Sequence, residues 1–344
     1  MLAAPLVIDV RPGAIEGLGA LLADHRIATE GRVAIALGPG QGDTIAADLR
    51  IGAPAVFRVS DGSHDSAATL GRELRAGAYE AVAGIGGGKT IDVTKFAAHM
   101  AGIPMVAVAT SLAHDGIASP VSSLEHESGK GSYGVASPVA VVVDLDRVRS
   151  APGQLACAGV GDVVANLSAV ADWELSAADT GERIDGLAVA MARTAAQAVL
   201  LQPGRERSDQ FLTVLAEALI LSGMAMAVAG SSRPSSGGDH EIMHAIDQLY
   251  PGTASHGELA GLGALFCAYL REDDEQFAAL SSCLGRHGLP RSPRDVGLTL
   301  PEFARAIGHA PATRPGRYTI LERLALSDAE IAKRVEEYVR AIPD

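Results

Sequence analysis

The sequence is poor in basic residues. Its 344 residues include 28 Lys and Arg against 41 Asp and Glu, which gives a net charge of −13. Binding to the phosphate backbone of a nucleic acid requires clustered Lys and Arg, so the charge balance argues against a nucleic-acid partner. It sets no such limit on small molecules, because an acidic protein can hold an anionic ligand in a local site.

Cysteine is scarce as well. Cys157, Cys267 and Cys283 lie in apolar contexts without C-x-x-C spacing, which is typical of reduced packing residues in a cytosolic protein. The first residues have no basic segment of the kind that begins a signal peptide, and no apolar run approaches the length that a bilayer requires. We therefore expect a cytoplasmic protein without membrane insertion.

The first half of the chain alternates short β-rich runs with helical patterns. This alternation favours a parallel sheet covered by helices, and the glycine-punctuated residues 118–137 look like an extended hairpin over that sheet. The runs that indicate buried strands are 32–38, 55–60, 80–86, 104–110 and 139–145.

Beyond residue 150 the strand signals stop and helical periodicity takes over. We therefore expect an α/β domain at residues 1–152 and an all-α domain at residues 153–344. The predicted helices of the second domain are 153–178, 184–201, 207–229, 239–249, 256–271, 273–287, 300–308 and 326–341.

Residues 80–100 form a strand, a glycine run and a helix, with four glycines among residues 84–88. Backbone N–H groups at a helix N-terminus bind phosphate well. The loop is neither a Walker A motif, which would need glycine at Ala83, nor a Rossmann fingerprint, which would need glycine at Lys89. A tight turn that packs the helix on the sheet is the simpler alternative. Four glycines followed by Lys-Thr exceed what a turn requires, so we interpret the loop as a pyrophosphate-binding turn of a different design.

His240 and His244 form an H-E-x-x-H pattern, the signature of zinc proteases, with Glu241 between them. The extended protease motif would continue with glycine and histidine where this chain has Asp247 and Tyr250. We therefore interpret the match as coincidental and expect Glu241 to be an exposed helix residue, about a third of a turn from its neighbours.

The same histidines suit a metal site of another kind. His240 and His244 are four residues apart on a predicted helix and share one face, and His256 follows just before another helix. The best third ligand is Asp162, after two glycines at the predicted start of a helix. One oxygen and two nitrogen ligands, from Asp162, His240 and His256, leave a fourth position open, as catalytic zinc requires. Taken alone, Asp162 would instead be a helix N-cap.

Six stretches together resemble the sn-glycerol-1-phosphate dehydrogenase family, within the superfamily of glycerol dehydrogenase, iron-containing alcohol dehydrogenases and dehydroquinate synthase. The resemblance implies a Rossmann-like NAD(P)-binding domain followed by a helical metal- and substrate-binding domain, the dehydroquinate synthase-like architecture. The stretches run in family order from residue 84 to residue 321: GIGGGKTIDVTK, ATSLAHDGIASP, GVGDVVANLSAVADWELS, SSRPSSGGDHEIMHAIDQL, SHGELAGLGA and RPGRYTIL.

The resemblance implies NAD(P)H as cofactor, one Zn²⁺ or another divalent metal per chain, a small phosphorylated substrate and a homo-oligomer. It implies metal ligation by Asp162, His240 and His256, and catalytic functions for Asp115, Asp162 and His244, each at or near the substrate. The residues that it implies for the cofactor site are Gly88, Lys89, Thr90, Ile91, Asp92, Thr110, Ser111, Leu112, Ala113 and Ser119.

Three departures from the family leave the phosphate-binding groups open. The run GDHEIMHAIDQL replaces the more usual Glu-His-Leu-Phe-Ser-His, although the histidine spacing is kept; Ala171 stands where a lysine is common; and the hairpin carries few positive charges beyond Lys130. By chain context, the nearest candidates for phosphate contacts are Arg233, Lys130 and Arg317.

The implied reaction is reduction of dihydroxyacetone phosphate to sn-glycerol 1-phosphate. The alternatives are a dehydrogenase of another polyol or polyol phosphate, a cyclase like dehydroquinate synthase, and a non-catalytic nucleotide-binding relative. At the end of the first predicted strand, Gly38, Pro39 and Gly40 precede the first carboxylate, Asp43. No acidic side chain at the strand end opposes a 2′-phosphate, so we expect NADPH to be accepted at least as well as NADH.

Overall fold

The computed structural model describes residues 5–25, 27–28, 31–49, 54–126, 129–202 and 208–343. The chain divides into two compact units, Met1–Ala156 with Arg207–Ala227, and Cys157–Glu206 with Val228–Asp344. The first unit contains every strand of the described residues, and the second is helical.

A six-stranded parallel sheet organises the first unit, in the order β1-β8-β5-β4-β2-β3, and a two-stranded antiparallel hairpin, β6-β7, accompanies it. The strands are β1 Val7–Arg11, β2 Val33–Leu37, β3 Ala55–Arg58, β4 Ala81–Gly86, β5 Met105–Ala109, β6 Val121–His126, β7 Gly129–Gly134 and β8 Ala140–Asp144. All five predicted strands and the predicted hairpin are present, but β3, which was predicted to be buried, consists of half-buried and exposed residues.

The four inner strands of the sheet are buried along their whole length. Parallel strands that are covered on both faces read as continuous apolar runs, which is why the sequence revealed them. The edge strand β1 was missed, because Asp9 and Arg11 interrupt its apolar residues and none of its residues is fully buried.

Helices form the remaining regular elements of the described residues, apart from three short 3-10 turns. Those of the first half are α1 Leu18–Asp24, α2 Gly42–Asp48, α3 His64–Ala76, α4 Gly88–Ala101 and α5 Leu145–Ser150. They continue with α6 Gly153–Val164, α7 Asn166–Thr180, α8 Gly186–Leu200, α9 Asp209–Ala229, α10 Gly238–Leu249, α11 His256–Leu270, α12 Asp274–His287, α13 Leu300–Thr313, α14 Ile320–Leu324 and α15 Asp328–Ala341. Short 3-10 turns occupy Ala14–Gly17, Asp115–Ile117 and Pro293–Val296.

The helix predictions hold with three differences. The predicted helix 153–178 is divided at Ala165 into α6 and α7, α13 extends five residues beyond its predicted end, and α14 was not predicted. In addition, α9 lies almost wholly in the first compact unit, although its sequence falls in the predicted second domain. Helical periodicity reveals which face of a helix is apolar but not which neighbour covers that face. The predicted domain limits at residues 152 and 153 stay a prediction.

Two helical stretches, Gly153–Thr180 and Asp209–Ala229, are long and apolar enough to cross a membrane by length and composition alone. The expectation that no apolar run approaches this length was therefore wrong. Most of each stretch is buried inside the protein, as in core helices of globular proteins, so the two helices are weak evidence for a membrane protein.

Two glycines allow α6 and α11 of the second unit to approach each other closely. A Cβ atom on Gly257 would lie 1.8 Å from the carbonyl oxygen of Ala158, and one on Gly161 would lie 2.2 Å from the carbonyl oxygen of Gly257. Backbone atoms within a helix have little freedom to move away. Any side chain at either position would therefore push the two helices apart.

We expect Gly257→Ala to lower the free energy of unfolding by about 1–3 kcal/mol, the usual cost of overpacking. Gly186→Ala is the matched control, because a Cβ atom there has no neighbour within 4 Å. Urea denaturation of both variants measures the difference. Equal stability of the two would show that the helix crossing does not depend on glycine.

Candidate functional site

The cofactor-loop candidates of the first unit lie where the order of the sheet reverses. From β2 the chain continues to β3 on one side, while β4, β5 and β8 follow on the other side. In open α/β sheets, ligands bind at the carboxyl ends of the strands at such a switch point. The loop after β2 and the glycine turn after β4 meet there, and the amide of Gly38 donates to the carbonyl oxygen of Ile85 at 3.0 Å.

The glycine turn needs its glycines for close packing. A Cβ atom on Gly38 would lie 2.2 Å from Thr90 Oγ1, and one on Gly86 would lie 2.6 Å from the same atom. Thr90 is buried between the two loops. At Gly88 a Cβ atom would lie 2.0 Å from Nε2 of His114, so the imidazole rests directly on the turn. At the N-terminus of α4, Gly87 and Gly88 are half-buried and Lys89 is exposed.

The predicted cofactor residues divide into two groups by exposure. Lys89 is exposed and its ammonium pairs with Glu125 at 2.9 Å, and Gly88 and Ala113 are half-buried. The predicted cofactor contacts stay predictions for both groups. The other predicted residues are buried, so a cofactor could contact them mainly through their backbone atoms. They are Thr90, Ile91, Asp92, Thr110, Ser111, Leu112 and Ser119.

A buried lysine joins the start of α4 to the loop after β5. The ammonium of Lys95 pairs with Asp92 at 3.0 Å and donates to the carbonyl oxygen of Gly116 at 2.7 Å. It also donates to the carbonyl oxygens of Ser119 and Val121. An unpaired charge at this depth would be costly, so these partners hold the second loop, from Thr110 to Ser119, against α4.

Asp115, a predicted substrate contact, sits in this second loop and is half-buried. Its carboxylate accepts a hydrogen bond from Ser222 of α9 at 2.8 Å. A Cβ atom on Gly223 would lie 2.7 Å from the amide nitrogen of Ser119, so α9 needs glycine to approach the loop. Sequence reasoning missed this contribution of α9, whose long apolar run gives no sign of a functional contact.

Asp162, His240 and His256 come together in the second unit, and one ligand atom of each lies within 4.8 Å of the others. Oδ1 of Asp162 is 3.2 Å from Nε2 of His256 and 3.7 Å from Nε2 of His240. Ligand atoms around a tetrahedral zinc with bonds of about 2.1 Å lie roughly 3.4 Å apart. The three side chains therefore fit a metal ion in spacing and in chemical type.

Asp162 lies near the end of α6 and not at a helix start, so the N-cap interpretation was wrong. It meets His256 because α6 and α11 approach through Gly161 and Gly257, the immediate neighbours of these two residues. The same glycines that the sequence shows beside the ligands thus bring the ligands within reach of each other.

The electrostatics of the cluster favour a positive charge at its centre. Burial opposes ionisation of Asp162, but hydrogen bonds from His240 and His256 outweigh it and hold the pKa of Asp162 far below its usual range. Burial alone would lower the pKa of His240, but hydrogen bonds to Asp162 and Asp239 raise it to about 9. A proton or a metal ion can supply the charge that the carboxylates favour.

Asp239 is a functional residue that sequence reasoning missed. Its carboxylate is fully buried and hydrogen-bonds Nδ1 of the adjacent His240. A metal-ligating histidine commonly donates its second ring nitrogen to a carboxylate, which fixes the ring and its tautomer. The bond leaves Nε2 of His240 to face Asp162 and His256. An acidic residue directly before a ligand histidine was the available signal.

Glu241 is fully buried, contrary to the expectation of an exposed helix residue. Burial, followed by the nearby Glu322, raises the pKa of its carboxyl to about 9, and Thr319 donates to it at 3.1 Å. In a zinc protease this glutamate would be the general base beside the metal. A carboxyl that is buried and neutral at physiological pH does not suit that role. The burial of Glu241 therefore supports the interpretation that the match to the protease motif is coincidental.

His244 follows His240 by one turn of α10 and is half-buried. Its Nε2 accepts a hydrogen bond from the guanidinium of Arg314 at 2.9 Å, because arginine can only donate. Arg314 in turn lies beside Arg317, and both donate to Oγ of Ser232. Sequence reasoning named Arg317 but not Arg314.

The other two phosphate candidates have different surroundings. Arg233 is buried, pairs with Glu182, and donates to the carbonyl oxygen of Tyr318 at 2.9 Å. Its charge is therefore neutralised within the protein, and it acts as a structural residue. Lys130 is exposed on β7 of the hairpin.

Comparison with known proteins places these features in context. A family model described as iron-containing alcohol dehydrogenase matches residues 9–152. The chain is 38% identical over 244 residues to a glycerol-1-phosphate dehydrogenase of Methanospirillum hungatei, covering 70% of this chain and 67% of the relative. It is 41% identical over 261 residues to the glycerol-1-phosphate dehydrogenase of Thermofilum pendens, covering 75% and 74%. Both relatives are designated as using NAD(P)+.

The fold has known counterparts as well. A crystal structure of a probable glycerol dehydrogenase from Sinorhizobium meliloti superposes with a TM-score of 0.80 at 20% identity, covering 98% of this chain and 97% of that chain. At this identity the likeness concerns the fold alone. It confirms the predicted architecture, an α/β part with a parallel sheet and a mostly helical part.

We expect His256→Ala to abolish metal binding, because two remaining ligands rarely hold a catalytic metal. The side chain of His256 is 34% exposed, so the fold and melting temperature of the metal-free protein should change little. His309→Ala is the control, since His309 is a half-buried histidine of α13 that hydrogen-bonds Gln248 at 3.0 Å, away from the three ligand residues in sequence. Elemental analysis after gel filtration measures bound metal. A His256→Ala protein that retains metal as well as the control does would contradict the assignment.

Proposed function

This chain belongs to the glycerol-1-phosphate dehydrogenase family, and we propose that it interconverts dihydroxyacetone phosphate and sn-glycerol 1-phosphate with NAD(P)H. The observation that carries the proposal is the cluster of Asp162, His240 and His256, with its ligand atoms at coordination spacing and the ring of His240 fixed by Asp239. Such a centre suits a carbonyl substrate whose oxygen gains negative charge during reduction.

The dinucleotide is assigned to the switch point of the sheet. The half-exposed turn around Gly88 would receive the pyrophosphate at the N-terminus of α4, where backbone amides attract anions. The loop from Thr110 to Ser119 would line the same crevice, held in place by Lys95. When bound, the nicotinamide supplies the hydride, while the chain provides orientation and excludes water.

The metal is assigned to Asp162, His240 and His256. We propose one Zn²⁺ per chain, with another divalent ion as the alternative, because the donor set of two imidazoles and one carboxylate is typical of catalytic zinc. A bound divalent metal supplies Lewis-acid polarisation of a carbonyl oxygen. Asp239 stabilises the arrangement by keeping Nε2 of His240 directed towards the centre.

His244 is the proposed proton-transfer residue. It lies on the same face of α10 as His240, and imidazole is the side chain best suited to exchange a proton near neutral pH. Because Arg314 donates to Nε2 of His244, that nitrogen carries no proton in this arrangement. Asp115, held by Ser222, is a further proposed substrate contact.

Two other enzyme classes share the fold. A dehydrogenase of an unphosphorylated polyol would need no cationic pocket for its substrate, whereas this chain has Arg314 against His244 and Arg317 against Ser232, which Arg314 also contacts. A cyclase like dehydroquinate synthase uses its dinucleotide transiently, so it would consume none. We propose the cytoplasm as the location and a homo-oligomer as the assembly, on the family resemblance alone.

With NADPH and zinc-loaded protein, we expect kcat/KM for dihydroxyacetone phosphate to exceed that for dihydroxyacetone by about 100-fold or more, since charge-assisted hydrogen bonds contribute about 1.5–3 kcal/mol each. One NADPH should be consumed per glycerol phosphate formed, as measured by absorbance and by product analysis. A preference for dihydroxyacetone would indicate a glycerol dehydrogenase, and turnover of substrate without net NADPH oxidation would indicate a cyclase.

The same assay tests the choice of dinucleotide. We expect kcat/KM for NADPH to equal or exceed that for NADH, because the loop after β2 begins with glycine and proline and offers no carboxylate at the strand end to repel a 2′-phosphate. A preference for NADH of about a hundredfold would contradict this expectation and would point to a repulsive group elsewhere in the loop.

A further inference from the structure

Three arginines of the second unit lie close together, and only one of them is neutralised. Arg233 pairs with Glu182 through two guanidinium nitrogens. Among the residues that the structure describes, Arg314 and Arg317 have only neutral hydrogen-bond partners and no ion pair with a carboxylate. Two guanidinium groups thus share a partly buried space in which no carboxylate pairs with them directly, although Asp239 and Glu241 are near enough to attract both.

The two guanidinium groups converge on a single point. Oγ of Ser232 accepts from Arg317 at 2.9 Å and from Arg314 at 3.3 Å. The remaining donors of Arg317 reach the carbonyl oxygen of Ser236, and those of Arg314 reach Nε2 of His244. A guanidinium fork suits the oxygens of a phosphate better than it suits one hydroxyl. The arrangement therefore matches an anion with several acceptor oxygens.

The electrostatics support the same conclusion. Burial, followed by the neighbouring charges of Arg314 and Arg233, lowers the pKa of Arg317 to about 10, against a weaker opposing effect of Glu241 and Asp239. Burial lowers the pKa of Arg314 as well. Both groups stay protonated at neutral pH, so the space holds two positive charges that repel each other. A dianion placed between them would remove that repulsion.

The position suits a substrate held at the metal centre. His244 and His240 share one face of α10 and lie about 6 Å apart along the helix axis. An anion on Arg314 would therefore be about one helical turn from the carbonyl oxygen of a substrate at Asp162, His240 and His256. A three-carbon chain with a terminal phosphate spans a gap of this order.

We propose that Arg314 and Arg317, with the hydroxyl of Ser232, bind the phosphate group of the substrate, and that Arg314 releases Nε2 of His244 when it does so. The proposal rests on the proposed function for the identity of the substrate, but the anion site itself does not. Arg314 occupies the nitrogen that His244 needs for proton transfer. Phosphate binding thus both anchors the substrate and frees the imidazole.

The first experiment compares Arg314→Ala and Arg317→Ala with wild type, using dihydroxyacetone phosphate and dihydroxyacetone. We expect KM for the phosphorylated substrate to rise roughly 10- to 100-fold in each variant, because each loses charge-assisted hydrogen bonds. For dihydroxyacetone, kcat/KM should rise in Arg314→Ala towards the value that phosphite gives in wild type, because Arg314 no longer occupies Nε2 of His244. Arg323→Ala is the control, because Arg323 is half exposed and lies 3.6 Å from Asp179 on the same unit.

The second experiment supplies the anion separately. Phosphite added to the reduction of dihydroxyacetone should raise kcat/KM in wild type and in Arg323→Ala, because it draws Arg314 away from His244. It should have no effect on Arg314→Ala. A structural arginine that only holds two loops together would not produce this rescue pattern, so activation that is the same in Arg314→Ala would overturn the coupling to His244.

The remaining outcomes separate this proposal from the proposed function. If wild type fails to reduce dihydroxyacetone phosphate, the function is wrong; calorimetry with inorganic phosphate then tests the anion site alone, and loss of binding in both alanine variants supports it. If wild type reduces the substrate and both variants keep its KM, the anion site is wrong. Should an alanine variant unfold, Arg314→Lys and Arg317→Lys keep the charge without the fork, and KM should still rise several-fold.

Discussion

The helical unit depends on one buried carboxylate, Asp172 of α7. Its oxygens accept from Arg271 at 2.7 Å, from the amide of Gly238 at 2.8 Å and from the amide of Ile320 at 3.0 Å. Gly238 begins α10 and Ile320 begins α14, so one side chain fixes the start of both helices. Removing one partner of such a buried pair usually costs about 3–5 kcal/mol.

The consequences reach every part of the candidate site in this unit. His240 and His244 follow Gly238 within two turns of α10, and Arg314 and Arg317 lie in the segment that leads to Ile320. The hydrogen bonds of Asp172 therefore fix the positions of His240, of His244 and of the segment that carries the two arginines relative to one another. The glycine-mediated approach of α6 and α11 adds Asp162 and His256 to this arrangement.

The sequence revealed the chemical type and the spacing of the candidate site residues, but not which residues contact each other in the fold. Histidines four apart on a helix share a face, and buried parallel strands are continuous apolar runs, so α10 and the inner sheet strands were predicted correctly. The edge strand β1 was missed because Asp9 and Arg11 interrupt its apolar residues. Asp162 was placed at a helix start because two preceding glycines look like a turn, although they serve close helix packing.

Polar residues gave the largest errors for a related reason. Glu241 looked exposed because a glutamate in a helix usually is, yet α13 and α14 cover it. Arg233 and Arg317 looked equivalent in sequence, but Arg233 pairs with Glu182, 51 residues away, whereas Arg317 has only neutral hydrogen-bond partners among the described residues. Long-range partners of this kind determine whether a charged residue is structural or functional.

The central claim is that one metal ion on Asp162, His240 and His256 is required for reduction of the substrate carbonyl. Titration of chelator-treated protein with Zn²⁺, while NADPH oxidation with dihydroxyacetone phosphate is followed, tests it most directly. The account predicts that activity rises from near zero in proportion to added zinc and reaches its plateau at one equivalent per chain. Full activity in protein that elemental analysis finds to be free of metal would contradict it.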